Sequence, residues 1–299
     1  MKWAVVLAGG NGSRLQPLTR ALTGDDRPKQ FCPLVGGKTL LSHTLMRIAI
    51  NVPPSRTLCV LTKDHERYYR QELAGMAAAR MVEQPANRGT AAAIAYALAR
   101  VERQDSKAIV GLFPADHYYE DVATFTRTLE TTYAAARRHP DRVFLMGAEP
   151  DSAEVEYGWI EPGEPLENGR TNLFGVRRFW EKPVREVADE LLVRHCLWNT
   201  FVMIGGLSAF RQLVHGAAPE LAHAFDLVKD FAVDERAVVE RVYETLPSID
   251  FSRDILARQT SHVGVVRLPS IGWTDLGQPA RVQTFLSAQR RPNGLSVAS

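Results

Sequence analysis

Ala8-Gly-Gly-Asn-Gly-Ser-Arg-Leu15 is the stretch that decides the reading of this chain. It follows a short apolar run, Trp3–Leu7, and is answered downstream by Arg27-Pro-Lys-Gln-Phe31. Glycines at 9, 10 and 12 let the backbone turn tightly and present its N–H groups to an anion, where a side chain would block close approach. Arg14 and Lys29 add positive charge beside that loop. Backbone donors and cations directly after a buried strand describe a site for a nucleoside triphosphate. A glycine turn without a ligand is the plain alternative, and the two cations argue against it.

Spacing excludes two familiar phosphate loops. The dinucleotide fingerprint needs a glycine three residues after Gly12, where Leu15 stands, and a Walker A loop needs Gly-Lys-Ser/Thr where Gly12-Ser-Arg14 occurs. The order of elements supports a different α/β fold. Strands are expected at Trp3–Leu7, Thr57–Leu61, Met81–Glu83, Ala108–Phe113 and Arg142–Gly147. Helices are expected between them at Thr39–Ile50, His65–Ala79, Thr90–Gln104 and Val122–His139. This alternation predicts a mostly parallel central sheet covered by helices, with ligands beyond the C-terminal strand ends.

The second half predicts a smaller mixed or antiparallel sheet on the substrate side, from Tyr157–Glu161, Leu173–Trp180 and Leu197–Ile204, interrupted by the Gly/Pro-rich Pro162–Gly169. Helices follow at Val184–His195, Ser208–His215, Pro219–Val228 and Ala232–Glu244, then a strand at His262–Leu268 and a helix at Gln278–Gln289. The expectation is a single domain over residues 1–299, with a nucleotide-binding half to about 150 and a sugar-phosphate half beyond it.

Composition narrows the class. The chain has 299 residues, 45% of them hydrophobic and 23% charged, as in an ordinary globular protein. A net charge of +2 argues against nucleic acid or an anionic membrane as partner. Cys32, Cys59 and Cys196 are far apart and odd in number, which fits free thiols in a reducing compartment. No run approaches a membrane span, and the apolar N-terminal stretch is too short for a signal peptide, so a cytoplasmic protein is expected.

Nine segments, in order, resemble the sugar-nucleotidyltransferase (nucleotide-sugar pyrophosphorylase) superfamily, and within it the mannose-1-phosphate guanylyltransferases. They are Leu7–Arg14, Arg27–Phe31, Gln84-Pro-Ala-Asn-Arg-Gly-Thr90, Phe113-Pro-Ala-Asp-His117, Tyr157-Gly-Trp-Ile-Glu161, Trp180-Glu-Lys-Pro183, Trp198-Asn-Thr200, Ser248-Ile-Asp-Phe251 and Trp273-Thr-Asp-Leu-Gly277. The resemblance implies a Rossmann-like, GT-A-type nucleotidyltransferase fold. It implies attack by a sugar 1-phosphate on the α-phosphorus of a nucleoside triphosphate, GTP with mannose 1-phosphate in the nearest group. Such a reaction brings two polyanions together, so it depends on positioning and positive charge more than on acid–base groups.

Carried onto this chain, the resemblance makes Arg14, Lys29 and Lys182 catalytic cations, Lys182 on the sugar phosphate. Leu7, Ala8, Gly9, Gly10, Gly12, Gln84, Asn87, Arg88 and Thr90 become the nucleotide contacts, with Gln84 and Asn87 on the base and Arg88 on base or phosphate in the base-reading segment Gln84–Thr90, and Thr90 is also an N-cap candidate for the next helix. Gly158, Glu161, Glu181, Lys182 and Asn199 become the sugar-phosphate contacts. Asp116 and Asp275 become the ligands of Mg²⁺, a hard cation suited to carboxylates and phosphate oxygens. Three positions depart from the usual patterns: Gly89 replaces a frequent Asn, Ala92 a frequent Pro, and Phe201 a glycine. His117 reads as a supporting or sugar-side residue, because the attacking phosphate is already ionised, and Trp180, Trp198 and Trp273 read as packing. Asp250 reads equally as a site residue or as a loop carboxylate paired with a nearby cation. Another nucleotide or sugar 1-phosphate, or a regulatory homologue that binds without turnover, are the alternatives, and homo-oligomerisation stays open. Bifunctional relatives carry a long C-terminal extension, so a single activity is expected here.

Overall fold

The computed structural model describes residues 1–167, 172–230 and 235–290. The strands are β1 (Lys2–Leu7), β2 (Thr57–Thr62), β3 (Met81–Gln84), β4 (Ile109–Pro114), β5 (Val143–Ala148), β6 (Gly158–Pro165), β7 (Leu173–Glu181), β8 (Leu197–Gly206) and β9 (Val263–Leu268). The helices are α1 (Gln16–Thr23), α2 (Leu40–Ala49), α3 (Glu66–Glu72), α4 (Gly89–Glu102), α5 (Val122–Arg138), α6 (Arg185–Val193), α7 (Leu207–Ala217), α8 (Pro219–Asp230), α9 (Glu235–Thr245) and α10 (Pro279–Arg290). Asn168 and Gly169 of the expected Gly/Pro-rich separator, and 232–234 of the expected Ala232–Glu244 helix, lie outside the described residues.

All the described strands belong to one nine-stranded sheet in the order β3-β2-β1-β4-β8-β5-β9-β7-β6. The first four are parallel, and β2 and β5 are buried along their whole length, as strands covered on both faces must be. Antiparallel pairing enters at β8, which lies against both β4 and β5. The expected antiparallel substrate-side strands are therefore continuous with the central sheet. They also curl, because β6 pairs with the start of β8 as well as with β7.

One face of the sheet packs on α4, α7, α8 and α9 through residues such as Leu98, Phe210, Phe225 and Tyr243, and the other on α2, α3 and α5 through Leu41, Tyr69 and Phe125. The side-chain oxygens of Thr39 and Asp121 cap α2 and α5 by accepting from Ser42 and Thr124 N–H groups at 3.0 and 2.9 Å. Two expectations change. The helix expected to run from His65 to Ala79 stops at Glu72, where Leu73 turns into the core and Gly75, a poor helix former, sits in the turn. Sequence reading missed α1, which starts one turn after Gly12 with Pro17 in its first turn. The cysteines are buried and free. Among the described residues no helix is long and apolar enough to cross a membrane.

The entrance to α4 explains Gly89. Its φ is +83°, and a Cβ there would fall 2.4 Å from the Ile249 carbonyl oxygen, so any side chain meets both strain and backbone. Gly24, with φ +79°, faces open space. Gly89→Ala is expected to cost at least about 2 kcal/mol, and Gly24→Ala about 1 kcal/mol. Urea denaturation of the two variants checks the difference, and equal midpoints would contradict it.

Candidate active site

The parallel strands β1, β2, β3 and β4 deliver Leu7, Thr62, Gln84 and Pro114 to one edge of the sheet, and the glycine loop crosses that edge. The Ala8 and Gly10 carbonyl oxygens accept from the buried Gln30 side chain at 2.9 and 2.8 Å, and the Gly9 carbonyl accepts from Thr62 Oγ1 at 2.9 Å. With its carbonyls tied back, the loop keeps its amides free: among the described residues, none of the N–H groups from Gly9 to Arg14 has a protein partner. Such a run of unpaired donors suits an anion. A Cβ on Gly9 would sit 2.6 Å from Gln84 Nε2, and Gly12 has φ +59°, so both glycines are required by shape.

Two adjoining cavities of about 430 and 360 Å³ open here, sharing Gly12, Asp116, His117, Glu156 and Asp275 as walls. The larger runs from Leu7, Gly9, Gly10, Gln84, Asn87 and Thr90 across to Gly158, Glu181 and Asn199. The smaller gathers Arg14, Lys29 and Lys182 around the two aspartates. Residues separated by most of the chain thus meet where cations and carboxylates face one another.

Lys29 is nearly buried, with its ammonium 3.1 Å from Asp116 Oδ2 and donating to the Asp275 backbone carbonyl. Asp275 Oδ1 accepts from Tyr157 Oη at 3.0 Å, from the Gly277 N–H at 2.8 Å and from Arg281 of α10. Burial opposes charge on Asp275, yet Lys29, His117 and Arg281 hold its carboxyl below the usual range. Its Oδ2 carries no hydrogen bond among the described residues. Burial pushes His117 down despite Asp116 and Asp275, and its Nδ1 accepts from Trp273 Nε1 at 3.3 Å. Arg14 reaches Glu156 Oε2 at 2.5 Å and is largely exposed at the cavity mouth.

At the other end of the larger cavity, Gly158 makes room for its neighbours: a Cβ there would lie 3.0 Å from Glu181 Oε2. Lys182 directly follows β7 in the left-handed region, φ +48°, and its side chain lines the cationic cavity, with the ammonium 4.0 Å from Glu181 Oε1. Asn199 Oδ1 accepts from the Phe201 N–H at 3.0 Å, and Phe201 itself, at φ +59°, lines the larger cavity beside an irregularity in β8. Burial and the neighbouring Asp250 push the Glu181 carboxyl up to about 7, against the pull of Lys182 and Arg253.

Several sequence expectations need correction. Ala8 is buried in the core beneath the loop and lines neither cavity. Glu161, an odd number of residues beyond Gly158, falls on the opposite face of β6, where Arg194 and Arg177 neutralise it. Arg88 lines neither cavity and donates from Nε to the Tyr243 carbonyl at 2.8 Å. Thr90 does not cap α4, which starts one residue earlier; its hydroxyl accepts from the Phe251 N–H at 2.8 Å. Asp250 caps a short turn, Phe251–Ile255, by accepting from the Arg253 N–H at 2.9 Å, and lines the larger cavity as well. Trp273 packs on Tyr157 and also forms cavity wall.

Gln30, Glu156, Tyr157 and Arg281 were missed as site residues. Gln30 and Tyr157 stood inside quoted motifs; Glu156 and Arg281 carried no local signal, since their partners are distant in sequence.

A family model described as nucleotidyl transferase matches residues 3–289. The chain belongs to the nucleotidyl transferase family. Among the family's members, a mannose-1-phosphate guanylyltransferase 2 of Escherichia coli O157:H7 is 29% identical over 92% of this chain and 58% of its own length. The chain spans 57–58% of the curated relatives heading the comparison. A crystal structure described as a mannose-1-phosphate geranyltransferase from Thermus thermophilus is 32% identical, covers 92% of this chain and 76% of its own, and superposes with a TM-score of 0.80. A UDP-glucose pyrophosphorylase complexed with UDP-glucose shares the fold, with TM-score 0.56, 15% identity, and coverage of 97% and 98% of the two chains. The family fold is the Rossmann-like α/β nucleotidyltransferase type, and the chain sits in its sugar-nucleotidyltransferase branch.

The raised Glu181 carboxyl has a sign. The folded state binds that proton more tightly than the unfolded chain does, so the stability it contributes at low pH is lost as pH rises from about 4.5 through about 7. Glu181→Gln is expected to match the wild type near pH 5 and to exceed it by about 1–3 kcal/mol at pH 8. Thermal unfolding at the two pH values checks this, and a constant difference would contradict it.

Proposed function

We propose that this protein condenses GTP with mannose 1-phosphate to GDP-mannose and pyrophosphate. One observation carries the reading: Arg14, Lys29 and Lys182, remote in sequence, converge with Asp116 and Asp275 on a single cavity beside the unpaired amides of the glycine loop. The relative named mannose-1-phosphate guanylyltransferase 2 supports the choice of substrates.

In this reading an oxygen of the sugar phosphate forms the new bond to the α-phosphorus, and the bond from that phosphorus to the α–β bridging oxygen breaks. Pyrophosphate carries away the electron pair. The nucleophile is already an anion, so no residue has to remove a proton, which fits His117, a partly buried cavity-wall imidazole whose surroundings disfavour its charged form. The loop amides and Arg14 grip the triphosphate, Arg14 exchanging Glu156 for phosphate oxygens. Lys29 lies beside the leaving pyrophosphate, and Lys182 supplies the counter-charge that lets the second polyanion approach.

Asp116 and Asp275 fit a hard divalent cation. Both carboxylates face the shared walls of the cavities, and Asp275 keeps Oδ2 free while Arg281 and Tyr157 fix its other oxygen. Among the described residues no group of three or more His, Cys, Asp or Glu forms a metal cage. A cation here would share its shell with phosphate oxygens and water, as Mg²⁺ prefers. When bound, Mg²⁺ supplies charge neutralisation at the reacting phosphates.

A second reading keeps the transfer and changes the sugar. Phe201 brings a large ring to the wall where the family pattern has glycine, which favours a pocket shaped for a different sugar 1-phosphate. Retention of the cations with both carboxylates supports turnover over a binding-only role. Pyrophosphate release from pairs of nucleoside triphosphates and sugar 1-phosphates, with Mg²⁺, tests both readings; no release from any pair overturns them.

Asp116→Asn is expected to lower kcat at least about 100-fold with the thermal transition retained. Wild-type rates in that variant would remove Asp116 from the machinery. Lys182→Ala is expected to raise KM for the sugar 1-phosphate at least about tenfold while KM for the nucleotide stays within about twofold. Equal effects on both substrates would contradict the assignment.

A further inference from the structure

The cavity wall that the family resemblance assigns to the base contains one side chain whose orientation is set from behind. Gln84, at the end of β3, is buried, and its Oε1 accepts from Tyr243 Oη at 3.1 Å. Its Nε2 faces the Leu61 carbonyl oxygen at 3.4 Å. Reversing the amide would set two carbonyl oxygens against each other and leave the Tyr243 hydroxyl proton without an acceptor. One orientation therefore wins. It spends one N–H on Leu61 and leaves the other beside Gly9, where the loop borders the larger cavity.

Tyr243 is well placed to enforce this. It belongs to α9, far from β3 in sequence, and is wedged between Tyr96 and Phe225 with ring centroids 6.4 and 6.1 Å away. Its backbone carbonyl takes the Arg88 guanidinium at 2.8 Å, so one residue holds both Gln84 and Arg88, the two ends of the Gln84–Arg88 loop. Tyr243 lines neither active-site cavity; whatever it does to a nucleotide passes through Gln84.

We propose that Tyr243 is a specificity-positioning residue that presents Gln84 to the base as a hydrogen-bond donor, selecting bases with a carbonyl oxygen at that edge over bases with an amino group. This rests on the nucleotidyltransferase reading above. Guanine and hypoxanthine place a carbonyl where adenine places an amino group, and uracil differs from cytosine in the same way. An amino base would face donor with donor and bury both without a partner, a mismatch that discriminates strongly.

The test compares GTP, ITP and ATP, each with mannose 1-phosphate and Mg²⁺, on the full chain. ITP carries the carbonyl of guanine without its 2-amino group and so isolates the contact. The wild type is expected to favour both GTP and ITP over ATP in kcat/KM. Tyr243→Phe is expected to lower both preferences at least tenfold, with KM for the sugar 1-phosphate within twofold of wild type. Gln84→Glu, which has the same shape without the donor, is expected to abolish or reverse the preference, and it decides the matter if Tyr243→Phe does not fold. Wild-type use of ATP equal to GTP and ITP, or a Tyr243→Phe variant that keeps the preference within twofold, overturns the proposal. If no nucleotide is turned over, the functional reading fails, and equilibrium binding of the same three nucleotides then judges this proposal by the same ratios.

Discussion

A buried ammonium is the constraint around which the site is arranged. Lys29 lies between the Asp116 carboxylate and the Asp275 backbone carbonyl, so it joins the end of β4 to the segment before α10. A cation so little exposed needs anionic or carbonyl partners, and those partners need it in return. The contact therefore brings the two carboxylates to the same cavity walls and keeps positive charge between them. Removing Lys29 would take away the ammonium that contacts the Asp116 carboxylate at 3.1 Å and leave the Asp275 carbonyl without that donor.

The same economy of contact links the two halves of the chain. The Gln84–Thr90 segment belongs to the first half, yet its position is set by the second. Tyr243 takes Gln84 and Arg88, the Ile249 N–H donates to the Arg88 carbonyl at 3.3 Å, and the Phe251 N–H donates to Thr90. Gly89 has no side chain because Ile249 passes across it. The expected division into a first and a second half does not extend to the packing beneath the cavities, which draws on both.

Much of the site was legible because it consists of short, local patterns at strand ends. Gly9 and Gly12 have to be glycines, the first for space and the second for its φ of +59°, and the glycine-rich run displays that need in the sequence, whereas a Cβ on Gly10 would meet nothing. Asp116, Lys182 and Asp275 likewise sat in recognisable segments. The misreadings share a cause. Glu161 was placed by its motif, but side-chain alternation along β6 sent it to Arg194 and Arg177. Arg88 was read by its charge, and a distant carbonyl captured it. Arg281 and Glu156 were invisible because an isolated Arg or Glu says nothing until its partner is known.

By itself, the sequence determined the alternation of strands and helices, the loop that needs glycine, and the set of charged residues that line the candidate site. These follow from local backbone sterics and the periodicity of apolar residues, which act over a few positions. Only the tertiary structure decided that the antiparallel strands extend the parallel sheet, that Lys29 bridges Asp116 and Asp275, and that Tyr243 orients Gln84. Those outcomes depend on which distant groups compete for each buried donor and acceptor, and that competition is settled by packing.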